Sequence, residues 1–241
     1  MCVECVKVLA DVTQSVELLV KAIGGVDAVI VATGFRPSFD LLASWKYPTL
    51  HHSPPLNTLS CNSALSASSH QKQLDLCIVD YALDTYKPQF IVDNWGTRNV
   101  VDACKLNQVK KIVLVSSILV NGAAIGQLLN PVYIILNIFG LTLVAKLQAE
   151  NYIRKSGIDY TIIRPGGLKN DPPSGNIFLS CEDSLYEGAV SRDTVARVAV
   201  ESVSTPEASY KVVELVEKSD SPAKQYLKNY FPPQYCVLNV V

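Results

Sequence analysis

No dense cluster of lysine and arginine occurs in this chain, whose 241 residues carry a formal net charge of −1. Nucleic-acid binding draws its affinity from neutralised phosphates, so no nucleic-acid partner is expected. Charge is missing altogether over residues 47–70 and again over 112–145. The second gap calls for a membrane test. Its most apolar part, residues 128–145, is broken by Asn130-Pro131, Asn137 and Gly140. Those breaks argue against a transmembrane segment and for a buried loop that leads into a helix. A weak membrane-surface or protein partner stays open on this composition.

Cysteine is present without forming a framework. The seven cysteines, Cys2, Cys5, Cys61, Cys77, Cys104, Cys181 and Cys236, are odd in number and scattered, and no secretory signal precedes them. Reduced thiols are the simplest reading. Cys2 and Cys5 have C-x-x-C spacing, yet no second ligand pair or helix start lies nearby. His51, His52 and His70 are the only histidines, and none has an acidic or cysteine partner at useful spacing. No metal site is expected.

The uncharged stretch 47–70 holds six serines, three prolines and all three histidines. With its continuation to 91 it is far longer than the connections compact domains use. Residues 47–91 therefore read as a flexible insert, and 231–241 as an apolar, uncapped tail. The whole, 1–241, reads as a single domain.

The rest of the chain alternates strands and helices. With 49% apolar and 18% charged residues it can bury a sizeable core. Strand-like runs fall at 6–9, 27–34, 110–117, 160–163 and 210–216. Helical spacing falls at 16–23, 92–107, 142–156 and 193–203. Runs such as Val29-Ile30-Val31 are apolar without a break, as in strands covered on both faces. The pattern predicts an α/β fold, a mainly parallel sheet with helices on both faces. Such sheets hold ligands at the carboxyl ends of their strands. Those ends are Asp11, Gly34, Ser116-Ser117 and Pro165-Gly166.

Several blocks carry a family resemblance. They are ADVT at 10–13, VIVATGFRPSFD at 29–40, VDNWGTRNVVDAC at 92–104, VLVSSILVNGAA at 113–124, the long GLTLVAKLQAENYIRKSGIDYTIIRPGGLKNDPPSGN at 140–176, and LYEGAVSRDTVARVAVE at 185–201. The chain resembles the atypical, NAD(P)-binding Rossmann-fold branch of the short-chain dehydrogenase/reductases. Within it, the chain is most similar to plant plastid proteins related to the redox-linked subunit of the inner-envelope translocon. The resemblance implies a dinucleotide cofactor, NADP or NAD, and a chloroplast location. It implies that Asp11 meets the adenine and that Ala32, Thr33 and Gly34 pack on the adenosine ribose. Ser116 and Ser117 mark the active-site strand end, with Ser117 and Lys146 in catalytic positions. Lys146 binds the nicotinamide ribose, and Pro165 and Gly166 border the nicotinamide.

Two departures limit that inheritance. Reductases of this group place a tyrosine four residues before the lysine as general acid, but here the position is Thr142, whose hydroxyl is far too weak an acid. Tyr133 lies upstream with nothing in the spacing to place it. The family also begins with a strand, a glycine-rich turn and a helix that cradle the diphosphate. Residues 1–13 supply no such turn. The chain is expected to look truncated at its start, to lack the first strand–helix–strand unit, and to bind cofactor weakly or not at all. Loss of the central first strand would expose edges or force a different pairing. Three readings follow: an NAD(P)-dependent oxidoreductase, a non-catalytic nucleotide- or redox-sensing protein, and an inactive truncated isoform.

Overall fold

The computed structural model describes residues 3–8, 11–33, 74–79, 90–138, 140–222 and Phe231. The histidines and the tail beyond Phe231 lie outside them. The main sheet has seven strands: β1 (Val3–Val8), β2 (Ala28–Val31), β3 (Leu74–Val79), β4 (Lys111–Val115), β5 (Asp159–Pro165), β7 (Asn176–Cys181) and β9 (Lys211–Lys218), in the order β1-β3-β2-β4-β5-β9-β7. Every pairing is parallel except β7 with β9. A small parallel pair, β6 (Gly167–Lys169) with β8 (Ala189–Ser191), lies beside it.

Side-chain alternation along the strands builds two cores. Val29, Val31, Ile112, Leu114 and Ile162 face one side, where helices α1 (Val16–Ile23), α2 (Thr97–Leu106) and α4 (Thr142–Arg154) bring Leu19, Val100 and Ile153. Ala28, Ile30, Val113 and Ile163 face the other, against Val195 and Val198 of α5 (Arg192–Ser204) and Phe231. Both faces are covered, so the strands read as unbroken apolar runs.

The insert departs from expectation. Within 47–91 the chain forms β3, and β3 sits between β1 and β2. Leu76 and Cys77 are both fully buried, one in each core. The sheet therefore has no exposed edge beside β2; an insert strand fills the gap, and the expected flexible segment is corrected there. The reduced-thiol reading is also corrected at one position, since Cys181 is disulfide-bonded. Cys77 and Cys104 are free thiols. Burial pushes them up to about 11 and about 12, and Cys77 adds to the shift of Cys104.

The helix expected over 92–107 is two structures. Residues Ile91–Gly96 wind as a π-helical turn before α2 begins. At Gly96 a β-carbon would collide with Val12 Cγ2, so glycine is what lets the turn after β1 press against this one. Short helix α3 (Pro131–Ile138) occupies the uncharged stretch; it buries Tyr133, whose ring packs on Gly122, and packs Leu136 partly buried against the same cluster. Leu128, Leu129, Val132, Ile135, Ile138 and Leu141 are at least half exposed around it. Among the described residues no single helix is long and apolar enough to cross a membrane.

Candidate functional site

Lys146 is on the second turn of α4, with its stem buried. Its Nζ donates to the backbone oxygen of Thr33, just past β2, at 3.1 Å and to Asp93 Oδ1 in the π turn at 3.1 Å. Glu150, four residues on, has the spacing of a local helical partner for Lys146. The structure gives Lys146 to Asp93 instead. A π turn is wider than an α turn and re-aims its side chains, a common device at functional sites. Here it delivers Asp93 to Lys146 and Asn94 Nδ2 to Gln148 Oε1 at 2.6 Å.

Glu150 belongs to a second assembly that the sequence reading missed. Arg164, in β5, donates Nε to Glu150 Oε1 at 3.0 Å and Nη2 to Glu150 Oε2 at 2.7 Å. Its Nη1 donates to Asp183 Oδ1 at 2.8 Å. Arg164, Glu150 and Glu214 are essentially inaccessible. Burial works against the Arg164 charge, but Glu150, Asp183 and Glu182 outweigh it, and its pKa lies above the ordinary arginine value. Burial pushes Glu214 above the usual carboxylate range, although backbone N–H groups of Asp183, Ser184 and Leu185 and the Arg164 charge pull the other way. The signal was available: one arginine between Ile163 and Pro165, directly after the strand-like run 160–163.

The expected site residues divide accordingly. Thr33, Lys146 and the half-buried Ala32 stand together at the β2 end. Asp11 is buried and its Oδ1 accepts from Thr13 N at 2.9 Å and Thr13 Oγ1 at 2.7 Å, a local turn. The next residue, Val12, ties that turn to the same π turn through Gly96 and accepts from Asn99 Nδ2 at 3.1 Å. Gly34 lies outside the described residues. Ser116 Oγ donates to Glu150 Oε1 at 2.6 Å, so its single proton points to a buried carboxylate; a ligand would have to donate to it. Ser117, half-buried, is the other hydroxyl at that strand end.

Pro165 accepts from Ile118 N at 3.0 Å, which clamps the β4 and β5 ends together. Gly166 has a structural reason of its own: a β-carbon there would lie 2.6 Å from the Gly188 backbone oxygen. Thr142 stands one turn before Lys146, and the packing of Tyr133 on Gly122 makes that residue the anchor of α3.

Among the described residues four buried side-chain oxygens lack partners, and two of them belong to Thr33, whose backbone oxygen Lys146 binds, and to Thr142, one turn before Lys146. Thr33 Oγ1, Asn94 Oδ1, Thr97 Oγ1 and Thr142 Oγ1 have no hydrogen-bond partner. Buried polar groups are nearly always satisfied, so such a set beside a lysine fits a hydroxyl-rich ligand.

The family described as NAD(P)H-binding matches residues 3–206. The chain belongs to that family. It is 50% identical over 220 residues to an uncharacterized chloroplastic protein of Arabidopsis thaliana, covering 91% of this chain and 62% of that relative. It is 35% identical over 136 residues to the chloroplastic protein TIC 62 of Pisum sativum, over 54% of this chain and 24% of that one. The chain thus spans less than two thirds of the length of these relatives. An oxidoreductase from Lactococcus lactis shares the fold, with a TM-score of 0.58 at 20% identity over 88% of this chain and 71% of that one. Its mainly parallel sheet with helices on both faces is Rossmann-like, in keeping with the NAD(P)H-binding family. Lys146 with the unpartnered Thr33 and Thr142 hydroxyls is a donor set whose chemistry suits a hydroxyl-bearing group such as the family's nucleotide carries. No glycine-rich diphosphate turn is present in the sequence.

Proposed function

We propose that this protein binds NADP or NAD by its nicotinamide-riboside half and acts by nucleotide occupancy rather than by turnover. The observation that carries the reading is the buried Lys146–Asp93–Thr33 cluster together with the unsatisfied hydroxyls of Thr33 and Thr142. Lys146 and the Thr33 and Thr142 hydroxyls would meet the ribose hydroxyls, while Ser117 and Pro165 would border the ring. The bound nucleotide supplies hydride-transfer chemistry. On the protein side no phenol stands where a proton donor is needed, because Thr142 takes that position.

Binding is proposed to be weak. A glycine-rich diphosphate turn, which residues 1–241 do not contain, would contribute two or three charge-assisted hydrogen bonds and a helix dipole, about 4–6 kcal/mol. That corresponds to roughly a thousandfold in affinity. The chloroplast is the proposed compartment, since the relatives named above are chloroplastic. A weak membrane-surface or protein contact, if made, is proposed for the apolar face of α3. The second reading, a reductase, is favoured by Lys146 itself.

Titration with NADPH, followed by the fluorescence of Trp45 and Trp95, tests the first reading. Trp95 is half exposed in the π turn. Saturable quenching without turnover of quinones or aldehydes is expected. Turnover that is lost in Lys146→Ala would establish the reductase; no binding at millimolar nucleotide would remove both.

A further inference from the structure

We propose that the Asp93–Lys146 pair makes the site indifferent to the redox state of the nucleotide. The inference rests on the reading that Lys146 meets the nicotinamide ribose. Oxidised and reduced nicotinamide differ by one positive charge, present on the oxidised ring and absent from the reduced one. A lone buried ammonium beside that ribose would repel the oxidised ring and favour the reduced form.

The ammonium is not alone here. Its Nζ lies 3.1 Å from Asp93 Oδ1, and the two side chains are 8% and 0% exposed. A pair so shielded from water is little screened by salt, so its balance of charge acts on anything bound beside it. The next charge along α4, Glu150, is not bare either, since Arg164 grips it through both oxygens. The ring therefore meets a dipole where a bare lysine would present a cation. Asp93 owes its place to the π turn, since both Asp93 and Asn94 reach α4 from it. Occupancy would then follow the total nucleotide pool rather than its oxidised-to-reduced ratio. Of the two sensing roles, this favours nucleotide sensing over redox sensing.

The test is equilibrium dialysis of NADP+ and of NADPH against the wild type, Asp93→Asn, Lys146→Met and the double variant, with thermal melts to confirm folding. The wild type is expected to hold the two forms with dissociation constants within about threefold of each other. Asp93→Asn leaves a net cation and shifts the ratio toward NADPH by about tenfold, whereas Lys146→Met leaves a net anion and shifts it about tenfold the other way. The double variant returns to the wild-type ratio with weaker binding of both. Opposite signs in the two single variants are something a purely structural pair would not produce, and either variant alone carries the test if the other does not fold. Equal weakening of both nucleotides, with an unmoved ratio, overturns the inference and leaves the binding site standing. Failure of the wild type to bind either nucleotide would remove the site itself.

Discussion

Arg164 sits between apolar neighbours on β5 with its whole side chain buried, and four acidic residues, Glu150, Glu182, Asp183 and Glu214, lie within 3.7 Å of it. Removing one member of such an assembly leaves buried charge without a counterion, which is strongly destabilising. Arg164→Met is expected to lose about 3–5 kcal/mol in urea unfolding. Arg164→Lys should recover only part, because an ammonium cannot reproduce the two-pronged grip on Glu150. Glu214 gives a pH signature. Its carboxyl lies above the ordinary value of 4.5 in the folded chain, chiefly from burial. A raised acid contributes stability below its unfolded pKa and loses it as pH rises through the folded one. Wild-type stability should therefore fall relative to Glu214→Gln as the pH is raised upward from about 4.5. Urea midpoints of both proteins across that range check this, and parallel curves would contradict it. At this scale the sequence was half legible. Lys146 could be singled out, but a lysine with a glutamate four residues on offers a ready local partner. Only the π turn, with its wider winding, shows that the partner is Asp93.

Elements built on long apolar periodicity were readable: α1, α4, α5, β2, β4, β5 and β9 fall within a few residues of their expected places. Strand β3 was not, because its six residues follow the uncharged, serine-rich stretch 47–70 within a segment whose length outweighed a short apolar run. Its role was hidden for a second reason. Which strand fills the place between β1 and β2 depends on long-range pairing, which local pattern does not encode. Leu76 makes the claim testable. Buried fully in the core beneath α5, Leu76→Ala should remove about 2–5 kcal/mol of stability. A loss below about 0.5 kcal/mol, as at surface positions, would mean that β3 does not belong to the sheet. The helical kink at 91–96 escaped for a similar reason, since a π turn has the same residue periodicity to within one position.

At the scale of the molecule, a parallel sheet covered on both faces brings the ends of β2, β4 and β5 to one side, where Thr33, Ser117, Pro165 and Lys146 gather. That much follows from strand alternation and from the rule that such sheets bind ligands at their carboxyl ends. What the pattern could not supply was the electrostatic state of the site, which depends on residues far apart in sequence. The central claim is that Lys146 with its buried neighbours forms a nicotinamide-nucleotide site. Isothermal titration of NADPH into the wild type and into Lys146→Met, both confirmed folded by their melting curves, tests it most directly. The account predicts saturable one-site binding that weakens at least about tenfold in the variant, some 1.4 kcal/mol. Equal affinity in the two proteins would contradict it.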